Sequence, residues 1–349
     1  MATLGASMKR ILLLSARDWL GPNAGPVECY VREVAVRLAS WGHYVAVVSH
    51  DTSALPWSRG RRPKIEVVDG VQIGRLGLRC LYRAMVRLLI GRLVASGKLA
   101  NQFDVLIDCI TSRPLRFAET SDVPVIPLVF ALKNNAPLYR TAPGPVIATT
   151  QRARDAVKDT GLLDRYIVQA PFGVGGALFD AGDQRSATPL IATPGSARRA
   201  LERALGSMQP PGRTADIAVF PDLRTAGTEA ENAVAEVCGR AWVGFCGPGE
   251  EWQALTMAAC GLPVVCPDSP AGREFVDEGV TGLLYREGDR ASLAGALTKI
   301  LTDEVLRKRL SVAARARLTN CTWDRTAGLV LATIENLGQE QPSTTGSEA

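Results

Sequence analysis

The sequence predicts an α/β protein of two doubly wound domains, in which parallel strands alternate with helices. Residues 260–289 contain short apolar runs separated by glycine turns and helical patterns, which is the order of elements in such a sheet. A similar unit lies near the amino end, where the apolar run at 11–14 leads through a glycine-containing loop into an amphipathic helix. The length of 349 residues fits two domains. Folds of this class bind ligands at the carboxyl ends of their strands.

The composition is that of a compact protein with many loops. Apolar residues make up 46% of the chain, which also contains 33 glycines and 21 prolines, and this argues against a disordered chain. A net charge of +5 is too small to indicate nucleic acid, so no nucleic-acid partner is predicted. The eight cysteines form no CxxC pair and the chain has two histidines, so we predict no metal site.

The cysteines and the apolar runs predict a cytoplasmic protein. Several cysteines lie inside apolar segments, which is typical of buried thiols in a reducing compartment. The first seven residues lack the apolar core of a secretory signal. The longest apolar run, at 123–132, contains two prolines and is too short to span a membrane.

The first domain is predicted to open with a strand, a loop, a helix and a second strand. The strand at 11–14 is followed by a loop that contains Gly25. Apolar residues then recur at helical spacing as far as Gly42, and the second strand is predicted at 44–48. Such a loop can approach a phosphate, but it lacks the G-x-G-x-x-G pattern that would indicate a dinucleotide.

A hairpin and a buried strand are predicted further along the first domain. Asp69 and Gly70 form a typical two-residue turn within a hairpin over 65–73. The apolar run at 103–108 predicts a strand that ends at Asp108. Because ligands bind at the carboxyl ends of such strands, Asp108 is a candidate site residue.

The segment Arg75–Lys98 carries six basic residues and no acidic one. Arg79, Arg83 and Arg87 recur every four residues beside a row of apolar side chains, which predicts a basic amphipathic helix. Two interpretations fit this pattern. The helix is either an ordinary core helix whose arginines face water, or it lies on an anionic membrane surface.

The second domain is predicted to begin near Gly176. A strand and loop at 189–195 precede a helix that bears Arg198 and Arg199. Strands are predicted at 216–220 and 242–245, followed by a loop that contains two neighbouring glutamates. We expect Glu250, rather than Glu251, to face the ligand, because Glu251 should begin the next helix.

One stretch of the second domain carries a more specific signal. From Gly261 to Asp289 the chain has the spaced residues GLPVV…GREFVDEGVTGLL…GD, and Cys321–Asp324 reads CTWD. These residues resemble the donor-domain signature of the group 1, or family-4-type, glycosyltransferases and the S-W-D that opens their last helix. Gly25, Tyr30 and Gly42 are similar to the amino-terminal pattern of the same family.

This resemblance implies a GT-B architecture, which consists of two Rossmann-like domains that face a cleft. Residues 1–172 would form an acceptor domain, completed by a carboxyl-terminal helix at 322–338. Residues 173–321 would form the domain that binds a nucleotide sugar. Residues 339–349 are predicted to be a disordered tail.

The resemblance also implies the site. Asp108 and Glu250 would be catalytic, and the donor would be bound by Gly25, Arg198, Arg199, Thr256, Gly272, Arg273 and Glu274. The chain departs from the family pattern at several of these points. The usual pair of cations for the diphosphate is not recognisable, and Arg198 and Arg199 are the nearby substitutes. Thr256 stands where the family has its second glutamate, Pro26 replaces a loop glycine, and the donor domain is shortened after residue 220.

Three hypotheses for function follow from the resemblance. The first is a retaining glycosyltransferase of glycan or glycoconjugate biosynthesis, which needs no cofactor because the nucleotide-diphosphate sugar is its substrate. Its acceptor would be a small molecule or a lipid-linked molecule, and the protein would be cytoplasmic, with peripheral contact at the inner membrane face through Arg75–Lys98. The second is a catalytically silent GT-B module that serves another enzyme as a partner or nucleotide-binding subunit. A sugar-nucleotide epimerase is the third, although its acid and base residues are not evident.

Overall fold

The computed structural model describes residues 7–21, 24–50, 64–77, 79–109, 121, 123–130, 144–182, 184–206, 215–221 and 228–337. Within these ranges the chain divides into two compact α/β units. The first comprises residues 1–172 together with 324–349, and the second comprises residues 173–323. The predicted tail at 339–349 lies outside the described residues, and the predicted cleft between the domains stays a prediction.

The first unit is built on a sheet of eight strands in the order β3-β4-β2-β1-β5-β6-β7-β8. Every neighbouring pair is parallel except β3 and β4, which form an antiparallel hairpin. The strands are β1 (Arg10–Leu14), β2 (Tyr44–His50), β3 (Ile65–Val68), β4 (Val71–Leu76), β5 (Val105–Asp108), β6 (Val125–Val129), β7 (Val146–Ala148) and β8 (Ile167–Gln169).

Helices cover this sheet and bury its apolar side chains. They are α1 (Pro26–Ser40), α2 (Arg79–Ala95), α3 (Lys98–Gln102), α4 (Gln151–Lys158) and α12 (Trp323–Asn336), which belongs to the first unit from Asp324 onward. On one side of the sheet, Tyr82, Val86 and Ile90 of α2 pack in a core with Leu12 of β1 and Leu106 of β5. This packing holds the carboxyl ends of β1, β2, β4 and β5 at one edge of the sheet.

The second unit has a sheet of five parallel strands in the order β10-β9-β11-β12-β13. Its strands are β9 (Leu190–Pro194), β10 (Asp216–Phe220), β11 (Val243–Phe245), β12 (Val264–Pro267) and β13 (Gly282–Tyr285). Its helices are α5 (Gly176–Phe179), α6 (Arg198–Leu205), α7 (Thr228–Arg240), α8 (Gln253–Ala259), α9 (Gly272–Phe275), α10 (Arg290–Thr302) and α11 (Glu304–Leu318). The predicted fold class of two doubly wound α/β domains is therefore confirmed.

The hairpin predicted over 65–73 is also confirmed. Asp69 and Gly70 connect β3 to β4 with φ angles of 51° and 79°. Positive φ angles at both central residues match a turn to the right-handed twist of a strand pair. The hairpin adds an antiparallel edge strand to an otherwise parallel sheet.

The prediction of one basic helix over Arg75–Lys98 is wrong at its beginning. Arg75 belongs to β4, and its side chain is 1% exposed. Its guanidinium contacts the carboxylates of Asp18 at 2.7 Å and Glu66 at 2.8 Å. The two acids compensate its charge, which is how a buried arginine is accommodated. The helix itself begins at Arg79, so Arg75 contributes nothing to its outer face.

The outer face of α2 is partly apolar and partly basic. Met85 and Leu88 are exposed, and 57% of the Leu88 side chain is accessible to solvent. Arg87 and Arg92 are exposed on the same helix. Across the part of the chain that the structure describes, no helix combines the length and apolar character needed to cross a membrane.

Candidate active site

The candidate site of the second unit lies at the carboxyl edge of its sheet. β9 and β11 are neighbouring strands, and the loops that follow them contact each other. The Ser196 hydroxyl, in the loop after β9, donates to Glu250 Oε1 at 2.8 Å. The Thr193 hydroxyl donates to the carbonyl oxygen of Phe245 at 3.2 Å and joins the same two strand ends. Glu250 is thereby held at the strand ends rather than on a free loop.

Glu251 lies at the same edge and connects to the next strand. It is buried, and its Oε1 accepts a hydrogen bond of 3.2 Å from the Ser269 hydroxyl, in the loop after β12. The predicted helix start at Glu251 is wrong, because α8 begins at Gln253 and Glu251 lies in the preceding turn. The structure therefore brings both glutamates to the strand ends, and the choice of Glu250 over Glu251 stays a prediction.

Gly272 is a position that admits no side chain. A Cβ added there would overlap the carbonyl oxygen of Pro267, the last residue of β12. The Gly272 N–H donates to the Ser269 hydroxyl at 2.9 Å, and Ser269 in turn contacts Glu251. The loop after β12 is thus folded tightly onto the strand end. The helix α9 that follows has four residues.

Two of the arginines predicted to bind the donor, Arg198 and Arg273, have carboxylate partners. Arg273 forms two hydrogen bonds with Asp268, at 2.6 and 3.0 Å, and this contact lowers the pKa of Asp268. Arg198 contacts Glu202 one helical turn away, at 2.7 Å. Both arginine side chains are exposed, so solvent screens these pairs and either arginine can exchange its partner for an anion at small cost.

Two further predicted residues lie beside these arginines. Arg199 is exposed at the beginning of α6, next to Arg198, and its carbonyl oxygen accepts from Arg203. Glu274 is half-buried in α9, and its carbonyl oxygen accepts from Arg317 at 3.1 Å. The topology therefore puts Arg198 and Arg199 after β9, and Arg273 and Glu274 after β12, at the same edge of the sheet.

Thr256 lies on α8, and one turn before it lies Gln253, a buried polar residue that was not predicted from the sequence as part of the site. Thr256 is 4% exposed, and Gln253 is 0% exposed. Within the described ranges, neither the nitrogen nor the oxygen of the Gln253 amide has a hydrogen-bond partner. A glutamine among the apolar residues of a short helix is a signal that the sequence alone offered.

In the first unit, Asp108 is the buried last residue of β5, between β1 and β6. Gly25 precedes α1, and its N–H donates to Glu28 Oε2 at 2.7 Å. Burial, followed by the nearby charges of Asp108 and Glu28, raises the pKa of the Cys109 thiol. The carboxylates of Asp108 and Glu28 therefore both lie close to the buried Cys109 thiol, at the carboxyl ends of the central strands.

Glu28 is a functional candidate that has no distinct pattern in the sequence. Burial raises the pKa of its carboxyl group, while the Gly25 N–H and the charge of Arg17 partly offset this effect. The Gly25 N–H already donates its hydrogen bond to the Glu28 carboxylate of the same unit. Among the described residues no group of three or more His, Cys, Asp or Glu side chains is arranged to hold a metal ion.

The comparisons with known proteins bear on this geometry. Residues 254–317 match the family model described as Glycosyl transferases group 1. A segment of 98 residues is 32% identical to a phosphatidyl-myo-inositol mannosyltransferase of Mycobacterium leprae, and it covers 27% of this chain and 26% of that protein. The chain thus matches about a quarter of the length of this relative.

Solved structures match nearly the whole chain. A glycosyltransferase from Rickettsia africae superposes with a TM-score of 0.67 at 14% identity, over 96% of this chain and 100% of that one. The Anabaena protein HepE, in complex with UDP-glucose, superposes with a TM-score of 0.61 at 12% identity, over 95% of this chain and 100% of that one. The fold is GT-B.

The resemblance to the group 1 glycosyltransferases is confirmed for this GT-B chain by the family match. The matched segment begins one residue after Gln253 and ends in α11, so it contains Thr256, Gly272, Arg273 and Glu274. Residues Asp108, Gly25, Arg198, Arg199 and Glu250 lie outside it.

Proposed function

We propose that this protein is a glycosyltransferase that moves a sugar from a nucleotide-diphosphate sugar to an acceptor hydroxyl, with retention of configuration. The observation that carries the proposal is the group 1 family match over residues 254–317. That segment includes the Gly272 loop, whose close packing on Pro267 excludes any side chain at Gly272. A fold of this class binds its ligand at this edge of the sheet.

The departing diphosphate requires positive charge. Arg198, Arg199 and Arg273 are exposed at this edge and would approach its oxygens. Exchange of Asp268 or Glu202 for a phosphate would retain a charge-assisted hydrogen bond for each arginine. Because retaining transfer needs no strong protein base, the absence of histidine from this edge is compatible with the reaction. In this proposal the donor itself is the substrate and no cofactor takes part.

The first unit would bind the acceptor. Asp108 at the end of β5 and Glu28 in α1 both lie near Cys109, and carboxylates suit the hydroxyl groups of a polyol. The mannosyltransferase from M. leprae is named for an inositol lipid, which favours an acceptor that carries several hydroxyls. Glycan or glycoconjugate biosynthesis is the corresponding role.

Peripheral membrane contact is part of this proposal. Arg87 and Arg92 flank the exposed Met85 and Leu88 on α2, and the exposed Lys98 follows at the start of α3. Basic residues contribute about 1 kcal/mol each near an anionic surface, so three of them suffice for weak attachment. A cytoplasmic protein with a lipid-linked acceptor would use this face at the inner membrane surface.

The silent GT-B module is the second candidate, and it depends on whether two exposed ion pairs persist when a nucleotide is present. Arg198 and Arg273, two arginines predicted to bind the donor, each contact a carboxylate of their own unit. If these pairs persist in the presence of a nucleotide, the protein lacks the charge that stabilises the leaving group. Such a protein would serve another enzyme as a partner or bind a nucleotide without turnover.

The test is calorimetric titration of the purified protein with UDP and GDP, followed by an assay for sugar release from UDP-glucose and GDP-mannose. Micromolar to low-millimolar binding together with turnover supports the transferase. Binding without turnover, across soluble and lipid acceptors, supports the silent module. No binding of either nucleotide at millimolar concentration would overturn the transferase proposal.

A further inference from the structure

The outer face of α11 carries a stripe of exposed apolar side chains. Val305 is 81% exposed, the highest value among the large apolar residues that the structure describes. Val312 follows two helical turns later and is 72% exposed, and Ala316, one further turn along, is exposed as well. Residues seven and four positions apart lie on the same face of a helix, so the stripe runs along most of the 15 residues of α11.

The opposite face of α11 already packs this helix onto the second unit. Its buried residues are Leu306, Leu310, Ala314 and Leu318. A helix that packs on its core with one face normally presents polar side chains to water on the other. The exposed valines therefore contribute little to the packing of the unit itself, and apolar side chains that are exposed next to one another mark interaction sites.

Charged side chains of opposite sign border the two ends of the stripe. Glu304 is the first residue of α11, and Arg315 follows eleven positions later. Eleven residues make about three helical turns, so both side chains lie on the same side of the stripe. Both are exposed. This side of the stripe is therefore acidic at the amino end of the helix and basic at the carboxyl end.

The contacts that these two residues make within the chain leave their charges available. Glu304 contacts Lys308 at 2.7 Å, but both side chains are exposed, so solvent screens the pair and Glu304 can change its partner at small cost. Arg315 donates to the carbonyl oxygen of Phe179, which does not neutralise its charge.

The order of the charges selects the partner that fits this face. A partner that is acidic throughout would attract Arg315 but would be repelled by Glu304. A second α11 in antiparallel orientation has its basic end opposite Glu304 and its acidic end opposite Arg315, so both ends attract. Arg309, near the middle of the stripe, donates to the Gly279 carbonyl oxygen at 3.4 Å, which directs its guanidinium toward that turn of its own unit.

We propose that a second copy of this chain docks on this face, with the two α11 helices antiparallel about a two-fold axis. A two-fold contact uses the same surface on both copies, so each Glu304 meets the partner's Arg315 and the valines of both copies form one apolar seam. A helix of 15 residues is about 22 Å long, which gives an interface at the small end of the usual range. The dimer is therefore expected to be weak, with a Kd of roughly 10–500 µM. This inference is independent of the proposed function.

The first test removes the apolar seam and measures association by sedimentation velocity from about 1 to about 1,000 µM, a range that brackets the expected Kd. Val305→Ser with Val312→Ser is expected to weaken the dimer at least about tenfold, because four valines lose their apolar contact in each dimer. Its Tm should stay within a few degrees of wild type, since both side chains are exposed in the monomer. Ile65→Ser with Val67→Ser is the matched control, because these residues of β3 are 65% and 69% exposed. The control should associate like wild type.

The second test exchanges the charges and so addresses the antiparallel orientation. Glu304→Arg alone brings like charges together at both ends of the seam, and so does Arg315→Glu alone, so each single variant should associate less than wild type. An equimolar mixture of the two variants should recover the dimer. In the mixed dimer both ends again join opposite charges, which is true of the antiparallel arrangement and not of a parallel one.

A wild-type protein that remains monomeric over the whole concentration range would overturn this inference. So would a dimer that is unaffected by the valine changes, or one that the β3 control weakens equally, because the contact would then lie elsewhere. A mixture of the two charge variants that associates no better than either variant alone would overturn the antiparallel pairing. Each of these outcomes leaves the proposed function standing, since nucleotide binding is measured separately.

Discussion

The Ser196 hydroxyl donates a hydrogen bond of 2.8 Å to Glu250 Oε1, which joins the loops after two neighbouring strands, β9 and β11. Ser269 and Glu251 make the equivalent connection between the loops after β12 and β11. Each glutamate is therefore positioned by a serine from a different strand end. Each carboxylate therefore depends on a different loop for its position.

Replacement of Glu250 should reduce transfer without unfolding the protein. Glu250→Ala is expected to lower kcat/KM by about 100-fold, in the range for loss of a group that acts on the reacting centre, with the Tm within a few degrees of wild type. Glu251→Ala should lower the Tm more, because Glu251 is buried and supports the Gly272 loop through Ser269. Equal, small effects of both changes on kcat/KM would contradict a site role for Glu250.

The Gly272 loop should not tolerate a methyl group. Gly272→Ala is expected to cost about 1–3 kcal/mol of stability, since its Cβ overlaps the Pro267 carbonyl, and to weaken nucleotide binding. Gly295→Ala is the matched control, because this glycine is exposed within α10 and has open space around its Cβ position. The control should gain about 0.5–1 kcal/mol through helix propensity. Chemical denaturation of both variants measures the difference.

The buried arginine of the first unit should be essential for its stability. Arg75→Ala would leave Asp18 buried with its countercharge removed, and breaking a buried pair in this way costs about 3–5 kcal/mol. Arg87→Ala, an exposed arginine of α2, should change stability by no more than about 0.5 kcal/mol. Urea unfolding followed by fluorescence compares the two. Equal midpoints would mean that the Asp18–Arg75 pair contributes nothing.

Glu28 should make stability depend on pH. Burial raises the pKa of its carboxyl in the folded state, so the folded protein holds this proton more tightly than the unfolded chain. The stabilisation is fully present below the unfolded pKa and is lost as the pH rises through the folded one. Glu28→Gln removes this loss and still accepts the Gly25 N–H through its amide oxygen. The Tm of this variant should exceed that of wild type by a margin that grows as the pH rises above about 4.3, the ordinary pKa of glutamate, and through the raised pKa of the folded state. A constant margin would contradict the raised pKa.

The basic face of α2 should determine binding to anionic vesicles. The double change Arg87→Glu with Arg92→Glu is expected to weaken co-sedimentation with such vesicles at least about tenfold, since each basic residue contributes about 1 kcal/mol. The charge-matched control is Arg290→Glu with Lys299→Glu, both exposed on α10 of the second unit. Binding should also fall with added salt. Equal losses in both proteins would indicate a general charge effect and leave α2 as an ordinary core helix.

The order of elements could be predicted from the sequence because it depends on neighbours along the chain. Apolar runs such as Ile11–Leu14 and Val264–Val265 form buried strands, and glycine or Asp-Gly turns end them. The same local patterns made the resemblance to the group 1 glycosyltransferases visible, since the matched residues are consecutive and span about sixty positions.

The fate of individual charged and polar side chains was decided by tertiary structure. Arg75 appeared to belong to an exposed basic helix, but the end of β4 places it against Asp18, which is 57 positions away. Glu28 and Gln253 gave no distinct local pattern, because their burial depends on elements that pack around them from distant parts of the chain. Strand order brings Ser196 to Glu250, which lies 54 positions further along the chain, and brings Ser269 to Glu251.

The sequence by itself thus determined the two doubly wound domains, the hairpin turn and the family resemblance, all of which follow from local periodicity and turn chemistry. Tertiary structure alone decided which carboxylates are buried, which arginines are already paired and which amide lacks a partner. The physical reason is that the energy of a charge or an amide depends on its solvation and on the partners within a few ångströms. Those partners come from separate strands and loops, and they become neighbours when the sheet forms.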